Sequence, residues 1–328
     1  MTRLARVELR RLFSRRFAWL AFLAALVVTG LLVYSLGEQS KPLSGAELQM
    51  QQQSFEQAQK DWKAHGPQMV KSCLKGQAEE RKTNPEADFG CDKLEPTLAN
   101  WGKPAPQLGQ LASSGLRDVS YVLGFVAFIL GAGFVAAEFS TGAIGNWLTF
   151  EPRRVRVYGS KLAAAGLGVL PLGVVMVGLT IAGAFVISSM WGSTALTGAQ
   201  SAHLWWGALR VVVLTVVSGV VGAAFGGLLR HTAAVIGVAA AYIVLVEGIF
   251  AGVLSSSQPW LVTKNIDAWV QHGTTYGVSQ CHLDSGGNYA CNYVEKTLSF
   301  GHGAGYLAVA SAVIALLSGW LFRRRDVT

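Results

Sequence analysis

Residues 138–161 read EFSTGAIGNWLTFEPRRVRVYGSK, from Glu138 to Lys161, between two long apolar runs. A loop between membrane spans that carries Arg153, Arg154, Arg156 and Lys161 against few acids belongs on the cytoplasmic side. The stretch also reads as a short helix. Ser140 or Thr141 can cap its first amide groups, and Ile144, Trp147 and Leu148 fall at i, i+3 and i+4 on one face. Glu151-Pro152 then ends it, because the residue before a proline is pushed out of the helical region. This spacing allows two readings. The Trp and Arg side chains sit at the lipid headgroups, or the apolar face docks on a cytoplasmic partner.

Composition fixes the class. The 328 residues are 51% hydrophobic and 14% charged, with 38 glycines and a mean hydropathy of +0.38. That is outside the range of an ordinary soluble domain. The net charge of +8 could suggest nucleic acid, so its distribution matters. Segments assigned to the cytoplasm hold roughly 14 Lys and Arg against about 4 acids, the remainder roughly 13 against about 15. The excess is membrane-side arginine, and nucleic acid is not an expected partner.

Residues 1–16 carry six arginines. Leu9, Leu12 and Phe13 share one helical face with Ala5, and Arg3, Arg6 and Arg10 lie on another. This describes an amphipathic helix in the inner interface, drawn to anionic lipids. Residues 17–36 are apolar and long enough to cross a bilayer core of roughly 30 Å. The run is too long for the apolar core of a signal peptide, and no small-x-small cleavage site comes after Leu36, so a retained first span is expected.

Residues 37–116 are polar and belong outside if the amino terminus is inside. Leu48, Phe55, Ala58 and Trp62 mark a helix in the first half, and prolines at 67, 85, 96, 104 and 106 are expected to break up the second half. Cys73 and Cys91 lie here, Cys281 and Cys291 in the second large outer loop. On the oxidising side, disulfides are favoured over metal binding, with local pairing the simplest arrangement. His272 and His282 could contribute to a metal site only as a minor alternative.

Within residues 117–254, Val119–Ala137 is the second span and Leu162–Met190 the third, kinked at Pro171. Trp206–Leu229 is the fourth, and a tight turn at Arg230-His231 leads to the fifth, Thr232–Leu254. Residues 303–328 hold the sixth span and a basic tail. The small residues of Gly222-Ala-Ala-Phe-Gly226 suit close helix packing within the subunit. Residues 255–302 are too polar to span. Their first part could dip into the outer leaflet, and Cys281 to Cys291 reads as a stapled turn. The expected fold is therefore an all-α polytopic membrane protein with six spans, both termini cytoplasmic and enlarged, disulfide-stapled outer loops.

Glu247 is the clearest acid inside a span, which makes it a functional candidate by default. Arg210 lies at similar depth in the preceding span, and a structural Arg210–Glu247 ion pair is the favoured expectation. A proton-coupled carrier built on Glu247 is a weaker alternative. No G-x-x-x-x-G-K-[ST] motif is present, so ATP hydrolysis by this chain is not expected, and neither is any cofactor of its own.

Glu138, Gly142, Leu148, Thr149, Pro152, Arg153, Arg154 and Lys161 together resemble the ABC type-2 permease family. The resemblance implies an exporter subunit in the plasma membrane, paired with an identical or related permease. It implies two copies of a separate ATPase, which bind the ATP and Mg. Residues 138–161 would be the coupling helix, acting through Glu138, Gly142, Ile144, Trp147, Leu148, Arg153 and Arg154. The amino-terminal helix would help shape the ATPase groove, and short re-entrant helices would lie between the fifth and sixth spans. The outer loop after the first span is longer than that family usually shows. The reading from another class is a membrane-anchored receptor or scaffold whose outer loops bind a partner without transport.

Overall fold

The computed structural model describes residues 2–81, 88–97, 101, 103–150, 153–253, 255–283 and 289–324. Helix α1 spans Thr2–Ser14, α2 Arg16–Ser40, α3 Gly45–Glu80, α4 Leu108–Ser140 and α5 Ala143–Phe150. Next come α6 (Arg154–Trp191), α7 (Gly198–Leu229), α8 (Thr232–Ala241), α9 (Val262–Gln271) and α10 (Phe300–Arg324). Among the described residues, six helical segments are long and apolar enough to cross a membrane: α2, α4, α6, α7, Thr232–Phe250 and α10.

The core sits where α4, α6 and α7 meet, with α2 against α4 and α6. Leu116, Val119, Leu123, Val169, Met176 and Val211 are buried there. Small residues permit the closest contact. A Cβ on Gly222 of α7 would lie 1.9 Å from the Phe128 carbonyl oxygen of α4, so these two backbones touch only because that position is glycine. The glycines of this stripe are thus consumed inside the chain. By contrast α2, Thr232–Phe250 and α10 bury little and turn Leu20, Leu31, Val244, Val313 and Leu316 outward. Lipid-facing helices present such surfaces.

The spans begin and end farther out than hydropathy alone suggests. α4 starts at Leu108, α6 at Arg154 and α7 at Gly198, each adding a polar first turn or more. Thr197 and Gln200 form a reciprocal capping box that fixes the start of α7. α6 runs from Arg154 to Trp191 with Pro171 inside it. The fifth span changes character along its length. α8 continues as a π-helix over Tyr242–Phe250, closed by a turn at Ala251–Val253. Arg230, at φ 58°, makes the tight turn between α7 and α8.

Two expectations about the large loops are corrected. Pro67 does not break α3, which has 36 residues and starts at a Ser44/Glu47 capping box. The indole of Trp62 lies over the turn before the proline, where a Cβ on Gly66 would come within 2.9 Å of it. A solvated helix can satisfy the one carbonyl that proline orphans. Cys73 of α3 is bonded to Cys91, as expected.

The second correction is to the all-α class. Residues 273–299 form an antiparallel hairpin, β1 (Gly273–Leu283) against β2 (Tyr289–Ser299). Its register sets Cys281 opposite Cys291. The side chains of this second expected cysteine pair and of His282 lie outside the described residues, as do residues 284–288.

Candidate functional site

At one end of the bundle the arginine-rich segments converge. Arg154 donates to the Arg323 carbonyl at 3.2 Å, which joins the start of α6 to the last turn of α10. The Tyr158 hydroxyl reaches the Ala315 carbonyl at 2.7 Å, and Phe322 packs on Tyr158 and Phe139. The Arg230 guanidinium lies over the Phe139 ring, 5.1 Å from its centroid. Basic stretches far apart in the sequence are therefore one surface.

Glu138 lies beneath it with 1% of its surface exposed. Lys161, equally buried on α6, donates to Glu138 and, at 3.0 Å, to Glu8 of α1. Arg15 approaches Glu138 at 3.5 Å and Arg11 at 3.8 Å. Two buried carboxylates, one buried ammonium and two partly exposed guanidiniums thus tie α1, the end of α4 and the start of α6 together. Removing the shared ammonium would strand both carboxylates. Burial pushes the Glu8 carboxyl above the ordinary carboxylate range, with the nearby Lys161 pulling the other way. Its second oxygen is buried without a hydrogen-bond partner among the described residues.

Leu12 inserts beside this cluster among Phe134, Val135, Ala164 and Ala165, while Leu9 packs at the edge. A Cβ on Gly168 would meet Leu12 at 3.0 Å. α1 is therefore docked on the protein as well as suited to an interface. Phe13, grouped with those leucines from the helical wheel, is 41% exposed and does not share their contact.

The segment 138–161 departs from expectation in two details. The hydroxyls of Ser140 and Thr141 both donate to the Ala137 carbonyl, so they close α4 rather than cap α5. Ile144 is buried against its own chain at 1% exposure and is not part of an outward apolar face. Gly142 turns the chain between the two helices at φ 68°, a conformation that excludes most side chains. Trp147 and Leu148 fall in α5, but their side chains lie outside the described residues, as do Glu151 and Pro152. Arg153 is exposed and is the N-cap residue immediately before α6.

At the opposite end the expected Arg210–Glu247 pair does not form. Glu247 accepts from the Tyr242 hydroxyl at 2.9 Å, from the Val262 amide at 2.7 Å and from the Thr263 amide at 3.4 Å. The Tyr242 contact spans five residues, which a π-helix brings onto one face. The two amides open α9, so Glu247 caps that helix from another segment. Arg210 instead donates to the Val270 carbonyl at 3.3 Å and lies over the Phe300 ring. Midway along α9, the buried Asp267 receives two bonds from Arg117, at 2.7 and 2.8 Å, and one from Tyr121. α9 is thereby held at its start, middle and end.

Glu8, Lys161, Arg117 and Asp267 are the residues that sequence reasoning leaves without a role in pairing. Glu8 carries a usable signal, because it lies three residues after Ala5 and four before Leu12, on the apolar face of α1. An acid there requires a partner.

No family model, curated protein or solved structure matches the chain.

Proposed function

We propose that the chain is the membrane permease subunit of an ABC type-2 exporter, crossing the membrane six times with both termini cytoplasmic. Two such subunits, identical or related, form the pathway. Two separate ATPase subunits bind ATP and Mg and rest on residues 138–161. The observation that carries this reading is the buried Glu8–Lys161–Glu138 contact. It joins the amino-terminal helix and two spans at the root of α5, so force applied to α5 reaches all three. The convergence of arginines at that end favours a cytoplasmic orientation, and the Cys73–Cys91 disulfide favours an oxidising compartment for the other.

The test is purification of the tagged chain in mild detergent from its native host, followed by mass spectrometry and an ATPase assay. The expected result is a co-purifying P-loop ATPase, stoichiometric with the chain. A second reading, a receptor or scaffold, is favoured by the disulfide-anchored 36-residue α3. It predicts that no P-loop protein co-purifies and that ligands bind the outer segment alone.

A further inference from the structure

The elbow between α1 and α2 borders an open cavity of about 520 Å³, lined also by α4 and the start of α8. Its walls are mostly apolar, with Leu12, Phe17, Leu130, Phe134 and Ala137 among them. The polar lining residues are Arg15, Arg16, Thr141 and Thr232. Arg15 is largely committed. It donates to the Gly133 and Phe134 carbonyls at 3.3 and 3.2 Å and approaches Glu138. Arg16 is exposed and has no hydrogen bond or ion pair with any described residue.

We propose that this cavity seats one anionic phospholipid, its phosphate on Arg16 and its acyl portion against Phe17, Leu130 and Phe134. Charge complementarity selects the headgroup. Glu138, the carboxylate that Arg15 approaches, is already matched by Lys161, Arg11 and Arg15, which leaves Arg16 as the cation on the cavity wall without a counter-charge among the described residues. Position selects a lipid over a soluble anion. Arg16 and Phe17 open the first apolar span, so the guanidinium sits at headgroup level while the cavity follows the hydrocarbon. A bound lipid would bridge the start of α2 to the start of α8, with Arg15 connecting it to Glu138. The inference needs only a membrane setting and stands apart from the exporter reading.

Native mass spectrometry of the detergent-purified protein tests it, with phosphatidylglycerol, chain-matched phosphatidylcholine and inorganic phosphate as probes. Phosphatidylglycerol should be retained in preference to phosphatidylcholine, and inorganic phosphate should not displace it. Arg16→Gln should lower its retention about fivefold, the effect of one arginine near an anionic headgroup. Arg16→Lys should restore most of the binding, and the cavity-filling Ala137→Leu should lower it without removing the charge. Equal retention of the two lipids, displacement by phosphate, or wild-type retention in Arg16→Gln would each overturn the proposal. Should Arg16→Gln fail to fold, the lipid comparison on wild-type protein and the Ala137→Leu arm decide.

Discussion

Glu247 and Arg210 hold opposite ends of one ten-residue helix. The carboxylate accepts the Val262 and Thr263 amides at the start of α9, and the guanidinium donates to the Val270 carbonyl at its end. Both charges oppose the helix dipole, which favours anions at the amino end and cations at the carboxyl end. Each also satisfies backbone groups that a helix terminus leaves unpaired. An isolated helix of this length is marginal, so α9 depends on these contacts, the Asp267 bridge and the burial of Ala268 and Val270.

Glu247→Ala is therefore expected to lower stability by about 1–2 kcal/mol, the scale of a lost helix cap. Arg210→Gln should cost less. The double variant should be at least as unstable as the worse single one, measured by thermal unfolding in detergent. Recovery in the double variant is the signature of a direct ion pair and would count against this geometry.

Asp267→Asn should be more damaging. Asp267 is 2% exposed and takes both Arg117 bonds, so its loss leaves a guanidinium without its counter-charge. A cost of roughly 3 kcal/mol is expected, at the low end for a broken buried pair because Arg117 is partly exposed. A drop in unfolding temperature no larger than that of a surface Asp→Asn control would refute this.

Legibility in the sequence tracks the strength of each local signal. The six apolar runs are decisive because a span must bury nearly every side chain in lipid or protein. Their polar ends are not, since Gly198 begins its helix behind the Thr197/Gln200 capping box and Leu108 begins its own by packing into the core rather than by hydropathy. The hairpin is hidden by its own cysteines, which point to a stapled turn. The alternation in Thr274, Tyr276 and Val278 is the strand signal that the cysteines mask. The pairing of Lys161 with Glu8 joins residues 153 positions apart and is beyond any local pattern. The partners of Glu247 escape a sequence reading because depth in neighbouring spans points to Arg210, whereas the amides of α9 come from a later segment.

Lys161→Met and Glu8→Gln should behave oppositely. The first leaves two buried carboxylates without their shared ammonium and should cost about 3–5 kcal/mol or abolish expression. The second removes a carboxyl whose burial raises its folded pKa. A raised carboxyl pKa contributes stability below the unfolded value, and that contribution is lost as pH rises through the folded value. Glu8→Gln should thus flatten the decline in stability above the ordinary carboxylate range and be neutral or stabilising at pH 7. Unfolding temperatures between pH 4 and pH 8 (about the range spanning both states) check this. A wild-type profile unchanged by Glu8→Gln would exclude a titrating role.

Reduction of Cys73–Cys91 should loosen the outer segment by about 3 kcal/mol, the scale of closing a loop of this size. After reduction of intact cells, a membrane-impermeant thiol reagent should label both cysteines. Labelling only in lysed cells would reverse the proposed orientation.

The most direct test of the coupling account is ATPase stimulation in proteoliposomes that contain the chain and its co-purified ATPase. Wild-type chain should stimulate hydrolysis, and burial of the Trp147 side chain in the partner should contribute about 1.5–3 kcal/mol to docking. Trp147→Asp combined with Leu148→Asp should abolish stimulation and release the ATPase, while the chain's unfolding temperature stays unchanged. Undiminished stimulation and co-purification in that double variant would contradict the assignment of residues 138–161 as the contact that couples ATP hydrolysis to the spans.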